Sequence, residues 1–454
     1  MALHVNPVRI PYSELEDHRG KDRRCFAQNL IKGGQHDIPY LKSSGRAAKL
    51  ITTFARCNGP KAQGAVYCAT SCPGSNMATI TDIKAIGLEH HLGETHAYGT
   101  ARGLISVRNA TLILIETDSG VTGLGEAWGP CAMVVAALEV LKPYFIDRNL
   151  YDHSQVPPYF YAQRYHLGIQ NTLTSCLGGI DIAAHDAIGK LTNVPVYQLL
   201  GGLNEKRVPV YASDGYFAVH PKSQLVDQLK SFVDQGFRGV KIKIGRGPTD
   251  DEERVALARE ALGPNVLLMV DVNGNYTTDI ALQSMARIED YNVHFCEEPL
   301  APTDFDGYAT LRSRSPIPIA TGEALYTAHE FKRLMDISGA DIWQPDLTLC
   351  GGLSAAREIS TLARLSHIRV SPHVWGGAVG LAAALHFTSA QAPWPHTDNV
   401  PYPMLLEYDQ GENALRNELL KTPIPCIDGH LTAPIGPGLG IELDWDAVEK
   451  YRVN

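Results

Sequence analysis

Three carboxylates recur at equal intervals along the second half of the chain: Asp271, Glu297 and Glu323, each 26 residues from the next. Each closes a short apolar run, "VLLMVDVN", "VHFCEEP" or "IPIATGE". Upstream, "GVKIKIG" carries Lys241 and Lys243 two apart. In a strand both lysines leave one face, while Val240, Ile242 and Ile244 leave the other. Downstream, "ADIWQPD" ends in Asp346, "IRVSPHV" carries His373 and "MLLEYD" carries Glu407. A single strand-end carboxylate is more often a helix cap than a catalyst. A lone K-x-K pair most often marks a solvated sheet face. Six successive runs after the lysine pair, each ending in an ionisable group, point instead to one shared mouth.

Three carboxylates at one mouth repel each other and stay partly protonated unless a cation sits among them. An oxygen-only donor set suits Mg2+, with Mn2+ as a substitute; the competing reading is a hydrogen-bonded acid cluster around a structural lysine. Two ammonium groups about 4 Å apart repel by roughly 4 kcal/mol at an effective dielectric of 20. With a divalent ion nearby, one lysine is expected to fall toward neutrality and act as a base, while the other holds an anionic substrate. Asp346 and His373 end adjacent runs, and a carboxylate beside an imidazole fixes its tautomer and raises its basicity. That dyad would be a second acid/base. Gln344 shares the inward face with Asp346, and Glu407 could donate a proton or hold a hydroxyl. Asn273 follows the first carboxylate, and Trp375 forms a wall beside His373.

The elements that must position these groups alternate. From about residue 208, eight apolar strands are separated by amphipathic helices such as "DEERVALAREAL", which favours a (β/α)8 barrel with its site at the C-terminal strand ends. Residues 77–205 read as an α+β capping domain. It contains a hairpin around Asp118-Ser119-Gly120, whose neighbouring glycines we assign to that hairpin, and a long helix in which Asp181, His185 and Asp186 are structural. The barrel is expected over 206–410, and a Pro/Gly-rich segment, 411–454, returns to the capping domain. Residues 1–76 are expected to be a loosely ordered extension, and a translation start placed upstream of the natural one would also produce it. It carries eleven basic and five acidic residues against a net −9 for the whole chain, and four of the nine cysteines. Cys57, Cys68 and Cys72 fit no compact zinc motif.

Composition narrows the partners. The net charge argues against nucleic acid or an anionic membrane as the main partner. No apolar run approaches the roughly 18 residues of a membrane span, and no secretory signal is evident. An odd number of scattered cysteines fits reduced thiols in the cytoplasm. The expected partner is a small carboxylate substrate, and the expected assembly a homo-oligomer.

Taken in order, "KIK", "DVN", "CEEP", "ATGE", "QPD", "SPHVWG" and "LLEYD" resemble the enolase superfamily, in particular its mandelate racemase group, from about residue 78 to the C-terminus. The resemblance implies a capping domain built from both terminal regions over a TIM-like barrel. It implies Asp271, Glu297 and Glu323 as Mg2+ ligands, Lys243 as base, Lys241 as the substrate-carboxylate lysine, Asp346–His373 as dyad and Glu407 as the strand-eight electrophile. Muconate cycloisomerase-like members carry a late lysine where this chain has Asp346 and His373, which disfavours that group. The expected chemistry is α-proton abstraction from a 2-hydroxy acid to give an enediolate, then β-elimination, as in acid-sugar dehydratases. Sugar-lactone ring opening and racemisation or epimerisation are the alternatives, and a catalytically inert binding barrel is disfavoured by the complete set of groups. "HHLGETHAYGTARG" (90–103) matches the family's specificity loop, with His96, Tyr98 and Arg102 suited to a polyhydroxy or dicarboxylic substrate.

Overall fold

The computed structural model describes residues 78–202, 207–217, 222–392 and 404–453. The expected extension at 1–76, with Cys57, Cys68 and Cys72, lies outside the described residues.

The capping domain starts with a strand, Ile80–His91, whose buried Ile80, Ile83 and Leu88 face the interior. It pairs antiparallel with Val107–Thr117, which pairs with Thr122–Ala127 across a turn at Asp118–Gly120, where Gly120 takes φ 78°. On the other edge the chain's last strand, Arg452–Val453, pairs with Gly87 and Leu88. The helix Thr172–Thr192 covers this sheet. Asn171 caps its first turn by accepting the Leu173 N–H at 2.9 Å, and Asn193 ends it in the left-handed region at φ 57°. Gly123 and Gly125 serve this packing rather than the turn. A Cβ at either would stand 2.0 Å from a helix carbonyl oxygen, of Ala183 and Gly179 respectively. The glycines of "GLGEA" therefore let helix and sheet approach closely.

Asp181 and Asp186 are wired into this helix packing. Asp181 accepts Ser354 N–H at 2.9 Å and Ser354 Oγ–H at 2.6 Å, and lies beside His153 and His185. Asp186 accepts the Leu124 and Leu439 N–H groups at 2.8 and 2.7 Å, joining the capping sheet to the C-terminal segment.

Eight parallel strands form the second layer: Arg207–Ser213, Gly239–Lys243, Leu267–Asp271, Val293–Glu297, Ile319–Thr321, Ile342–Trp343, Arg369–Val370 and Leu406–Asp409. Counted along the chain, they are ordered 7-6-5-4-3-2-1-8 in the sheet. Strands seven and eight approach through Glu407 N–H to Pro372 O at 3.5 Å and Ser371 Oγ to Leu405 O at 2.8 Å. Helices follow the strands and cover the outside, as parallel strands with two buried faces require. Inside, Tyr211, Met269, Phe295, Ala320 and Ile342 form a buried apolar plug. On strand two, Val240 and Ile242, with Ile244 just beyond its end, join the large apolar core, while Lys241 takes the inward face next to Tyr211. Among the described residues no helix is long and apolar enough to cross a membrane.

Candidate active site

The alternation of strands three and four turns Met269 and Phe295 inward, and two residues later Asp271 and Glu297. Both carboxylates are fully buried, and Glu323, two residues past strand five, is partly exposed. Ligand oxygens of the three lie within 4.8 Å of one another. Lys243 Nζ donates to Asp271 Oδ2 at 2.5 Å. Lys241 donates to Glu297 and lies 2.8 Å from Glu407 Oε1. Gln344 Nε2 donates to the other oxygen of Glu297.

The neighbouring carboxylates set the ionisation of both lysines. Burial opposes charge on Lys241, but Glu297, Glu407 and Asp271 outweigh it and hold the amine well above its ordinary range. Lys243 is also raised, with Asp271 outweighing burial and the repulsion from Lys241. Each lysine is the counter-charge to a carboxylate, Lys241 to Glu297 and Lys243 to Asp271; the expected fall of one lysine toward neutrality requires a cation among those carboxylates. Burial pushes Glu297 up to about 8, despite Lys241. Burial also acts against Asp271, yet Lys243 and Lys241 hold it below its usual range. Three clustered oxygen donors of this kind, two without solvent access, fit a hard divalent cation.

Across the mouth, Asp346 and His373 lie just beyond strands six and seven and share a parallel bridge. His373 Nδ1 lies 2.8 Å from Asp346 Oδ2. Asp346 Oδ1 accepts the Thr348 N–H at 2.8 Å and hydroxyl at 2.6 Å, which fixes the carboxylate plane. The other imidazole nitrogen, Nε2, is 3.3 Å from Glu323 and 3.7 Å from Glu407. Burial lowers the imidazole pKa, but Glu323, Glu407 and Asp346 together raise it well above the ordinary histidine range. Burial works against the Glu407 carboxylate too, yet Lys241, His373 and Lys243 hold it at about 2.

Lys243, Asn273, Glu323, Asp346, His373 and Trp375 line one cavity of about 390 Å3. Asn273 sits at φ 51° and donates its N–H to Asp271 Oδ1 at 2.8 Å. Tyr98 and Arg102 also line this cavity, whereas His96 lines a neighbouring one with Tyr98, Arg246 and Arg254. The 90–103 segment is docked on the barrel: Phe217 N–H donates to Gly99 O at 2.7 Å.

Several residues at the site carried no individual signal in the sequence. Glu298, at φ 38° immediately after Glu297, lines the cavity and is held well above the carboxylate range by burial and then by Glu323, Asp271 and Glu297. Its only signal was the second glutamate of "CEEP". Leu104, Ile105 and Trp128 add an exposed apolar rim. Arg108 of the capping sheet packs against the rings of both Tyr98 and Trp375, at 4.4 and 4.1 Å, and lies 3.1 Å from Asp409 at the end of strand eight. That pair spans 301 residues, so no local pattern reveals it.

The comparisons with known proteins follow the same division. Residues 90–201 match the mandelate racemase / muconate lactonizing enzyme N-terminal domain, and 224–447 the enolase C-terminal domain-like family. The chain is 34% identical over 377 residues to a D-galactarolactone cycloisomerase of Agrobacterium fabrum, covering 82% of this chain and 99% of that protein. It is 32% identical over 346 residues to an arabinonate dehydratase of Saccharolobus solfataricus, covering 74% and 89%. Among solved structures, the 3,6-anhydro-D-galactonate cycloisomerase of Zobellia galactanivorans superposes with TM-score 0.74 at 31% identity, over 83% of this chain and all of that one. An enolase of Bradyrhizobium, crystallised with magnesium and mandelic acid, gives 0.72 at 29% identity, over 83% and 99%. With its acid cluster at the barrel mouth and both halves matched, this chain belongs to the mandelate racemase / muconate lactonizing enzyme family of enolase-superfamily enzymes.

Proposed function

We propose that this enzyme removes the α-proton of a sugar-acid carboxylate and then expels a β-oxygen substituent, as an acid-sugar dehydratase. The carrying observation is that Lys243 and His373, from strands two and seven, which are not neighbours in the sheet, line the same cavity beside the acid cluster.

Asp271, Glu297 and Glu323 are the residues that would hold Mg2+, with Mn2+ as the substitute. When bound, the ion would stabilise the additional negative charge that develops on the substrate carboxylate as the α-proton leaves. Lys241 would hold that carboxylate. Lys243 takes the α-proton once its ammonium is discharged; the contact that now holds its charge is made to Asp271, one of the proposed ligands. The electron pair left on the α-carbon gives the enediolate. It then forms the new double bond as the β C–O bond breaks. Protonated His373 delivers its proton from Nε2 to the departing oxygen, with Nδ1 held by Asp346. Loss of a hydroxyl gives water and an enol that tautomerises to a 2-keto-3-deoxy acid. Tyr98, Arg102, Asn273 and Trp375 would contact the rest of the substrate.

Ring opening of a sugar lactone is the second reading. It rests on the near full-length match to a D-galactarolactone cycloisomerase and on the apolar rim of Leu104, Ile105 and Trp128, which suits the C–H face of a ring. There the departing oxygen is the ring oxygen and no water is released. The described cysteines are free, which supports a cytoplasmic location; we also expect a homo-oligomer. The test is a panel of acid sugars, their lactones and aromatic 2-hydroxy acids incubated with Mg2+, with products read by NMR. A 2-keto-3-deoxy acid is expected, and turnover confined to aromatic 2-hydroxy acids would end the assignment.

A further inference from the structure

We propose that Glu126 of the capping sheet positions His373 against Asp346 by holding the start of the helix that follows His373, while Trp128, two residues on, holds the loop that carries Asp346. Glu126 lies near the end of the strand Thr122–Ala127 and is 1% exposed. Its carboxylate accepts the Gly377 N–H at 2.6 Å and the Gly380 N–H at 2.9 Å. These groups belong to the first turn of the helix Ala378–Ala390, which begins five residues after His373 and has no side-chain cap from its own N-cap residue, Gly377. A helix start leaves N–H donors unsatisfied and favours negative charge. Here both come from another domain. The space is shaped for it: a Cβ at Gly376 would stand 2.2 Å from Glu126 Oε1, and one at Gly377 3.0 Å from Oε2.

The same strand end reaches the other half of the dyad. Two residues on, Trp128 N–H donates to Thr348 O at 3.1 Å. Thr348 is the residue whose N–H and hydroxyl both bind Asp346 Oδ1. The two loops also pack on each other, since a Cβ at Gly380 would stand 2.9 Å from Thr348 Cγ2. Residues 126 and 128 thus set the separation of Asp346 and His373 from outside the barrel. Glu126 is absent from the cavity lining and acts as a positioning residue.

The catalytic consequence rests on the proposed role of His373, so the test has two arms. Glu126→Gln places an amide N–H against one of the two backbone donors, and Gly380→Ala presses the same contact from the other side. Asp186→Asn is the comparison, a capping-domain carboxylate that accepts two N–H groups remote from these loops. Crystal structures of both test variants should show His373 displaced by about 1 Å from Asp346, with Asp186→Asn leaving the dyad in place. With D-galactarolactone in D2O, a displacement of that size should lower elimination by on the order of 100-fold. KM and Lys243-dependent α-proton exchange should stay near wild type. An undisturbed dyad in both structures, or equal losses in all three variants, overturns the proposal. If the wild type does not turn over D-galactarolactone, the sugar-acid reading suffers while the structures still decide the positioning.

Discussion

Lys241 and Glu407, from strands two and eight, lie 2.8 Å apart, and neither side chain is more than 1% exposed. The lysine also binds Glu297, so one ammonium group neutralises carboxylates from two non-adjacent strands. Removing one partner of such a buried pair leaves an uncompensated charge, which costs about 3–5 kcal/mol. Lys241→Met should therefore lose stability of that order in urea unfolding with chelator present. A loss below about 1 kcal/mol would show that the two strands do not depend on this pair.

Metal dependence follows from the acid cluster. Exhaustive chelation should abolish turnover, and Mg2+ or Mn2+ should restore it. Because a cation that binds only the folded chain stabilises by mass action, about 2.7 kcal/mol at a hundredfold excess over Kd, Mg2+ should also raise Tm. Glu323→Gln should remove most of that rise. An unchanged Mg2+-dependent Tm shift in this variant would remove Glu323 from the ligand set.

The two proposed proton-transfer groups are separable by exchange. Lys243→Ala should cut α-proton exchange into D2O for one C2 configuration by roughly 100-fold to 10,000-fold. His373→Asn should instead lower elimination, with exchange at the Lys243 side retained. Exchange that survives both changes would mean that neither group is the base.

His386 gives a pH test away from the site. Its Nδ1 accepts the Tyr197 N–H at 3.1 Å and its Nε2 donates to Leu439 O at 3.0 Å, so the neutral ring satisfies both contacts. Burial lowers its pKa to about 4. The folded value lies below the ordinary 6.5, so the unfolded chain binds more protons between them. This contribution is fully present above pH ~6.5 and is lost as pH falls through ~4, by up to about 3 kcal/mol. Urea unfolding at several pH values should show a shallower dependence in His386→Gln across that window. Parallel curves would contradict the assignment.

Much of the site was legible because its logic is local. A period of two assigns Lys241, Lys243, Asp271 and Glu297 to one face, and the 26-residue repeat brings successive strand ends to one mouth. The hairpin at Asp118–Gly120 was likewise written in its turn residues. Gly123 and Gly125 were harder: glycine signals a special backbone need, but only the packed helix Thr172–Thr192 shows that the need is close approach.

What the sequence by itself determined is the identity and order of the strand-end groups, since side-chain direction in a strand depends only on neighbours along the chain. The tertiary structure alone decided which loop residues reach the cavity, placing Tyr98 there and His96 beside it. It also joined Arg108 to Asp409 and Glu126 to Gly377, partners 301 and 251 residues apart. Ionisation belongs with these, because the proton affinity of Lys241 or His373 is set by carboxylates from several strands at once, a sum over distances that no stretch of sequence contains.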